Sequence, residues 1–535
     1  MEPVRQGRSW MTSLKRALAP LQPLATMIST ASVMSGIVPL MQAALRTGSP
    51  TVMIFGLAFT SMMAFTIALS LADIASGFPN VKGGLIEYSR RLAPPKLSRI
   101  SSWMVGWLHF CALVTGATSY AFSFALFGTT VIELSTGIVP SRSVTVFIRI
   151  LVSILYGTIS AFNITVDFAS VMWHIIGPIL ILMTIATSVK NPPSARWVFT
   201  HFENQTGWSS PFYVVLLGLT QGAFTTAGYD TPIHTLHNIK NAAWRVPREI
   251  LSGLLASFIT GELLILTLLF GVNNIDAILN PTISGTASVE IFVHLVGSIG
   301  VACILLIFMG TFFFSGQDVL IACSKIGHEL AMKDVFPKSE FLSHVGPRGQ
   351  PARMAWLCTS ISCGIGILYL GNKTILQTLT SAVAIELNLV YCAPVALRLF
   401  YPSPIRFHPG SFSLGRWGRL LAAVAVSWSV ICVFTFSLPN YHPISIDNMN
   451  YASVLFLSTI GLALGYWFYS ARHWFEMDRP PASSPENKSE NEAKINTEQR
   501  KLPVAVISEG CLQEKDLEEI ESWLDRLERD LHLMK

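Results

Sequence analysis

Charge is what this sequence lacks. Of its 535 residues only 13% are Asp, Glu, Lys or Arg, against roughly 25% in soluble domains. The shortage is uneven: 24 of the 69 charged residues fall in 476–535, which leaves 45 for the first 475. A body so poor in charge cannot cover itself in water. That excludes a soluble enzyme, a secreted disulfide-rich module and a disordered scaffold. Paired thiols are missing too. Eight cysteines occur without a C-x-x-C pair, and seven lie inside apolar runs, so neither a disulfide framework nor a zinc site is expected. H-E-x-x-H, G-x-S-x-G and paired helical aspartates are absent. No enzyme chemistry, cofactor or metal is therefore expected. The net charge of +5 sits between the apolar runs and gives no reason to expect nucleic acid.

What is present is length and apolarity. A membrane-spanning helix needs about 20 mainly apolar residues. Twelve such runs lie near 23–45, 51–76, 101–131, 143–160, 166–188, 211–233, 249–272, 289–323, 354–371, 375–398, 417–438 and 450–470. The spacing predicts an all-α polytopic membrane protein of about 12 spans. The long third and eighth runs predict tilted helices or a surface helix ahead of the span. The opening segment is basic, and no cleavable signal peptide is expected. Loops assigned to the inner side carry 21 Lys and Arg against five outside: Arg46, Arg142, Lys190, Arg196 and Lys373. By the positive-inside rule both termini then lie in the cytosol. The division expected is a cytosolic segment 1–20, a membrane domain 21–475, a disordered linker 476–513 and an amphipathic helix 514–535. In the last, Leu517, Ile520, Leu524, Leu527 and Leu531 recur at helical spacing.

Two runs carry poor helix chemistry at membrane depth. The first holds Ser29, Thr30, Ser32, Ser35 and Gly36, with Pro39 behind them. The sixth holds Thr225-Thr226-Ala227-Gly228-Tyr229-Asp230-Thr231-Pro232. Lipid cannot satisfy free backbone groups, so an interrupted helix must line a protein-enclosed cavity. The two breaks fall in corresponding places of two five-helix halves. That is the pattern of an inverted-repeat transporter with its substrate between the breaks. The ends of such half-helices offer N–H donors to an anionic group and carbonyls to a cationic one.

Three stretches carry a resemblance to a known family. Ser70-Leu71-Ala72-Asp73-Ile74-Ala75-Ser76-Gly77-Phe78-Pro79, with Gly83-Gly84 and Ala93-Pro94-Pro95 behind it, is similar to an acidic segment after the second helix of the amino acid–polyamine–organocation superfamily. Gly228-Tyr229-Asp230 resembles its helix-six break. Lys240-Asn241-Ala242-Ala243-Trp244-Arg245-Val246-Pro247-Arg248 resembles its inner loop, and Leu414-Gly415-Arg416-Trp417-Gly418 is a weaker match. Fungal permeases for amino acids, choline and GABA are the most similar group. The resemblance implies a LeuT-like fold, a 5+5 inverted repeat plus two helices, with helices 1 and 6 unwound. It implies that Ser32, Ser35, Gly36, Thr226, Ala227 and Gly228 line the substrate, that Phe224 acts as a lid, and that Tyr229 and Asp230 lie at the break. Lys240, Arg245 and Arg248 would belong to a cytosolic gate loop. The loop departs from the family where His237-Asn238 and Asn241 replace acidic residues.

Ionisable groups at membrane depth cost about 2.5–3.5 kcal/mol on insertion scales, so each is a functional candidate. His109, His174, Asp230, Glu262, His294, Asp318 and Glu386 qualify. Asp230 lies on the break and could neutralise an amine or bind a proton. His174 and Glu386 are further candidates for proton coupling. Glu262, His294 and Asp318 are read as packing or interfacial. A quaternary ammonium would want an aromatic cage, for which Phe224, Tyr229, Trp103 and Trp107 are available. The expectation is a plasma-membrane importer of a small amine such as an amino acid, choline or GABA, driven by protons. The alternative is a nutrient receptor that kept the fold and lost flux. The sequence says nothing of oligomeric state.

Overall fold

Long apolar runs fold into long helices, because in lipid every backbone N–H and C=O must find its partner within the chain. The computed structural model describes residues 33–475 apart from 165, 235–240, 273–274, 280–286, 348, 372–373 and 447. In order the helices are α1 (Val33–Arg46), α2 (Ser49–Gly77), α3 (Gly84–Leu92), α4 (Pro95–Thr136), α5 (Arg142–Ala161) and α6 (Asp167–Ser188). Then come α7 (Ala195–Thr200), α8 (Pro211–Thr225), α9 (Thr231–His234), α10 (Ala242–Phe270), α11 (Ile275–Leu279) and α12 (Ala287–Ala331). The last five are α13 (Ser339–Leu342), α14 (Ala352–Ile367), α15 (Ile375–Phe400), α16 (Gly418–Ser437) and α17 (Ala452–Tyr466).

Among the described residues, ten helices are long and apolar enough to cross a bilayer. They correspond to ten of the twelve predicted runs. The sixth run yields the shorter α8, of 15 residues; of the first run the described residues begin at Val33, where α1 starts. The eighth run is divided near its start: α12 turns at Gly297, where φ is +67°, and its long apolar part begins after that turn. The third run is continuous. At 42 residues, α4 is roughly 60 Å long, twice the hydrocarbon thickness. Residues 1–20, the linker 476–513 and the helix 514–535 all lie outside the described residues.

The packing of the helices carries the repeat that sequence identity between the halves does not. The first span packs on the sixth (α1 on α8), the second on the seventh (α2 on α10), the third on the eighth (α4 on α12) and the fourth on the ninth (α5 on α14). The first four spans thus each meet the span five places later, the pattern that an internal repeat would give. Burial follows the same plan. The apolar window of α4 is 83% buried and that of the final span only 28%, so α4 runs through the middle and α17 borders lipid. At the end of α17, Trp467, Trp474 and Phe475 gather around Trp103 of α4 with ring centroids 5.1–6.2 Å apart. The Trp103 indole N–H also donates to the Ala463 carbonyl at 2.8 Å.

Candidate functional site

The sixth run breaks where its residues demand it. Ser210 caps α8 by accepting from the Tyr213 N–H, and Pro211 opens the helix. The Thr226 N–H still closes on the Gly222 carbonyl at 3.0 Å and the Ala227 N–H on the Phe224 carbonyl at 3.2 Å. Gly228 then turns the chain at φ +94°, a conformation open to glycine and costly to any other residue here. After the turn the Ile233 N–H donates to the Asp230 carbonyl at 2.8 Å and starts α9. The backbone N–H groups of Tyr229 and Asp230 donate to no described residue.

Asp230 is the centre of the break. Its Oδ2 lies 3.0 Å from Nε2 of His234 on α9 and 3.4 Å from Nε2 of His109 on α4. Its Oδ1 accepts from the Tyr391 hydroxyl of α15 at 2.9 Å. The same hydroxyl accepts from the Gly228 N–H at 3.1 Å, so Tyr391 ties both ends of the turn. The ring of Tyr391 also packs on Tyr229, with centroids 4.7 Å apart. Asp230 and His109 are buried; His234 is 23% exposed at its side chain. Among the described residues no Lys or Arg pairs with Asp230.

On the other side of the break, α1 and α8 cross at van der Waals distance. A Cβ on Gly36 would stand 2.8 Å from the Thr225 Cα. The Gln221 amide of α8 donates to the Ile37 carbonyl of α1 at 3.0 Å. Next to Gly36 on α1, Ser35 Oγ lies 3.4 Å from Ser315 Oγ on α12, which lies 3.1 Å from His174 Nε2 on α6. Nδ1 of His174 donates to its own helix, to the Ser170 carbonyl at 2.8 Å. That bond fixes the tautomer and leaves Nε2 as the atom that gains or loses a proton. Ser170 Oγ in turn bonds Asp318 Oδ2 at 3.2 Å. A small, mainly apolar cavity of about 20 Å³, bordered by Leu40, Ala44, Leu217, Thr220, Gln221 and Gln377, sits between α1, α8 and α15. It has room for a water but not for an amino acid.

The family model for amino acid permeases matches residues 21–460. The chain belongs to the amino acid permease family. Over 485 residues this permease is 29% identical to the amino-acid permease BAT1 of Arabidopsis thaliana, covering 86% of this chain and 93% of the other. It is 31% identical to the BAT1 homologue of Oryza sativa subsp. japonica, covering 86% and 92%. Its identity to the choline transporter of Saccharomyces cerevisiae is 26%, covering 82% and 79%. The relatives are plant as well as fungal, and they are named permeases and transporters, not enzymes. The permease is thus an integral, multi-pass membrane protein.

Several residues singled out from sequence meet at the permease's break: Tyr229 and Asp230 on the turn, Phe224, Thr226, Ala227 and Gly228 just before or on it. Gly36 of α1 packs against Thr225 just ahead of it, and Ser35 turns instead to Ser315 of α12. In the structure both lie inside α1, so they form no unwound segment; Ser32 and the residues before it lie outside the described residues. Phe224 packs at a tilt of 46° against Tyr120, with centroids 6.0 Å apart. Trp103 and Trp107 do not join Phe224 and Tyr229 in a cage: Trp103 belongs to the cluster at the end of α17 and Trp107 packs on Phe336. Glu386 faces away from the break, toward α17, where its Oε1 accepts from Thr459 at 2.9 Å. In the inner loop Lys240 lies outside the described residues. Arg245 reaches Glu249 of its own helix at 3.8 Å, and Arg248 lies over Trp244, 6.0 Å from the ring centroid.

The permease also uses residues that sequence reasoning passed over. His234 carries a legible signal, an i, i+4 spacing from Asp230 that puts both on one face of a helical turn. Tyr391 carried none. Asp73 of the acidic motif pairs with Arg398 of α15 at 3.0 Å, and that guanidinium lies 3.9 Å from the Phe407 ring centroid. Ser76 bonds the Ala243 carbonyl at 2.7 Å and the Phe412 N–H at 2.9 Å. The motif therefore ties the end of α2 to α10, α15 and the loop before α16. Arg149, fully buried on α5, donates to the Cys363 carbonyl of α14 at 3.0 Å.

Proposed function

We propose that the chain is a secondary carrier that imports a small amine-bearing solute (an amino acid, choline or a GABA-like relative) across the plasma membrane together with protons. The observation that carries this reading is the helix break at Gly228, enclosed by α1, α4 and α15. A span interrupted at that depth needs a reason, and a solute cradled by the bare backbone supplies one. The N–H groups of Tyr229 and Asp230 offer donors to a carboxylate. Carbonyls at the end of α8 offer acceptors to an ammonium group. The names of the plant and yeast relatives agree with such a solute.

Coupling to protons rests on His174. A histidine whose Nδ1 is tied to a backbone carbonyl presents Nε2 to Ser315, and through Ser315 to Ser35 of α1. Protonation turns Nε2 from acceptor to donor, which reverses the Ser315 hydroxyl and changes what α1 feels. Alternating access then follows if α1 and α8 part from α6 and α12 in one half of the cycle and close on them in the other. The inner loops carry the excess of Lys and Arg, which supports cytosolic termini.

The test is uptake of a panel of radiolabelled amines in transport-deficient cells, with and without a protonophore. Accumulation that collapses with the protonophore is expected. Binding of a labelled amine without uptake would favour the receptor reading. Accumulation indifferent to the protonophore would remove proton coupling.

A further inference from the structure

Buried carboxylates in a low-dielectric interior need a compensating positive charge. Asp230 has none among the described residues. Instead its Oδ2 faces two imidazole nitrogens, from elements 121 and four residues away in sequence. We propose that His109, Asp230 and His234 form a binding site for a divalent transition-metal ion of the zinc class, and that the bound ion pins α9 to α4 beside the helix break.

The geometry is that of a coordination edge. Zinc binds imidazole nitrogen and carboxylate oxygen at about 2.0–2.2 Å in tetrahedral sites, which separates neighbouring ligand atoms by about 3.4 Å. Here the two nitrogen–oxygen separations are 3.4 and 3.0 Å, and one ligand atom from each residue lies within 4.8 Å of the others. The remaining closure falls to His234, the most exposed of the three. The Tyr391 hydroxyl on Oδ1 holds the carboxylate with Oδ2 turned to the histidines, the supporting role that outer partners play at metal sites. Two nitrogens and one oxygen suit a borderline ion and not Mg²⁺ or Ca²⁺, which take oxygen shells. The expectation of no metal rests on the absence of paired cysteines and H-E-x-x-H, whereas these three ligands are spread from residue 109 to 234.

Space around His234 supports the same role. Its Nδ1 lies where a Cβ on Gly84 would stand 2.7 Å away, and Glu329 Oε1 is equally close to a Cβ on Gly83. Gly84, at the start of α3, thus makes room for the imidazole, and Gly83 for the neighbouring Glu329. An ion joining α9 to α4 would hold the inner half of the broken helix against a central, immobile span. If the carrier reading above is right, an occupied site slows the cycle.

The experiment uses the full chain purified in detergent, with Co²⁺ as an optical probe. One Co²⁺ per chain is expected, with the strong visible absorption of a tetrahedral site, displaced by Zn²⁺ and not by Mg²⁺. H109A and H234A are each expected to weaken binding at least about tenfold, in the range seen when metal-site partners are removed. H234C is expected to retain binding and add a thiolate-to-cobalt charge-transfer band, which shows that a folded protein has kept the position. Co²⁺ binding unchanged in both alanine variants would overturn the site. Zn²⁺ is further expected to inhibit uptake by the wild-type chain and not by H234A; equal inhibition of both would overturn the pin. A chain that binds Co²⁺ as described but moves no amine would count against the carrier and support the metal site.

Discussion

The two halves meet tightly at Gly36, and the crossing can be tested by one methyl group. A Cβ there would lie 2.3 Å from Thr225 Oγ1, 2.9 Å from its Cβ and 2.8 Å from its Cα. Rotating the Thr225 side chain relieves the first clash but not the other two. Ordinary carbon–carbon separations are about 3.5–4.0 Å, so G36A must drive α1 and α8 apart by roughly 1 Å. Overpacking of this kind costs about 1–3 kcal/mol. At 1.36 kcal/mol per factor of ten, a cycle that passes through the packed state slows by about 5- to 150-fold. The assay is initial-rate uptake of the transported amine, normalised to protein at the cell surface, with thermal stability measured in detergent. A companion variant sharpens the argument. G36A/T225G removes the side-chain clashes but leaves the new methyl group against the backbone of α8, so it recovers part of the rate and not all. T225A alone leaves its Cβ in place and gives G36A little relief. Wild-type uptake and stability in G36A would refute the claim that these helices must touch.

Other perturbations follow from the same geometry. Y391F removes the hydroxyl that donates to Asp230 and accepts from Gly228, leaving two buried groups unpaired at about 1–3 kcal/mol each; uptake should fall severely, and a variant with normal uptake would take Tyr391 out of the site. R398A strands the buried Asp73 carboxylate and should destabilise the detergent-solubilised protein by about 3–5 kcal/mol, whereas D73N/R398A should recover much of the loss in a thermal-shift measurement. H174Q should abolish protonophore-sensitive accumulation while sparing exchange of labelled for unlabelled solute; retained accumulation would move the coupling proton elsewhere. On α3, burial works to raise the Glu87 pKa, but Arg90 and Arg91, each 2.6 Å from its Oε1, outweigh burial and hold it below the usual carboxylate range. A lowered folded-state pKa means stabilisation that is present above the unfolded value and lost as pH falls through the folded one. E87Q should therefore lower thermal stability at neutral pH and abolish that acid-side loss.

The spans were legible because membrane helices are specified by composition. The apolar runs lie on helices wherever the residues are described, and the sixth, which sequence marked as interrupted, yields a short one that stops at Thr225. Gly228 was legible for a local reason: glycine, a carboxylate and a proline within five residues cannot continue a helix in lipid. What surrounds the break was not legible, because it is assembled from distant parts of the chain. Tyr391 reaches Asp230 across 161 residues, and nothing in its own neighbourhood distinguishes it from any helical tyrosine. Glu386 shows the converse. On composition it is as good a candidate as Asp230, yet five residues along α15 from Tyr391 it points to a different side of the helix. Periodicity gives relative facing, and only the packing of α4, α15 and α17 says which side meets the break.

The two polar networks flanking the break differ in what they can do. Asp230 is already engaged by His109, His234 and Tyr391, and three partners leave its carboxylate little capacity for an ammonium group. An incoming amine would have to displace a histidine or be met by backbone carbonyls instead. The second route keeps the network intact and assigns Asp230 to holding the inner half-helix. The Ser35–Ser315–His174 relay, by contrast, contains hydroxyls that can reverse without breaking their hydrogen bonds, and it joins α1 to α6 and α12. On this reading cargo and proton act on opposite faces of one crossing, the cargo on the turn at Gly228 and the proton on α1. D230N separates the two routes. The asparagine retains an acceptor for Tyr391 but no charge for an amine or a metal ion. If Asp230 binds the amine, D230N loses affinity for labelled solute; if it holds the half-helix, affinity measured on purified protein survives while net uptake falls.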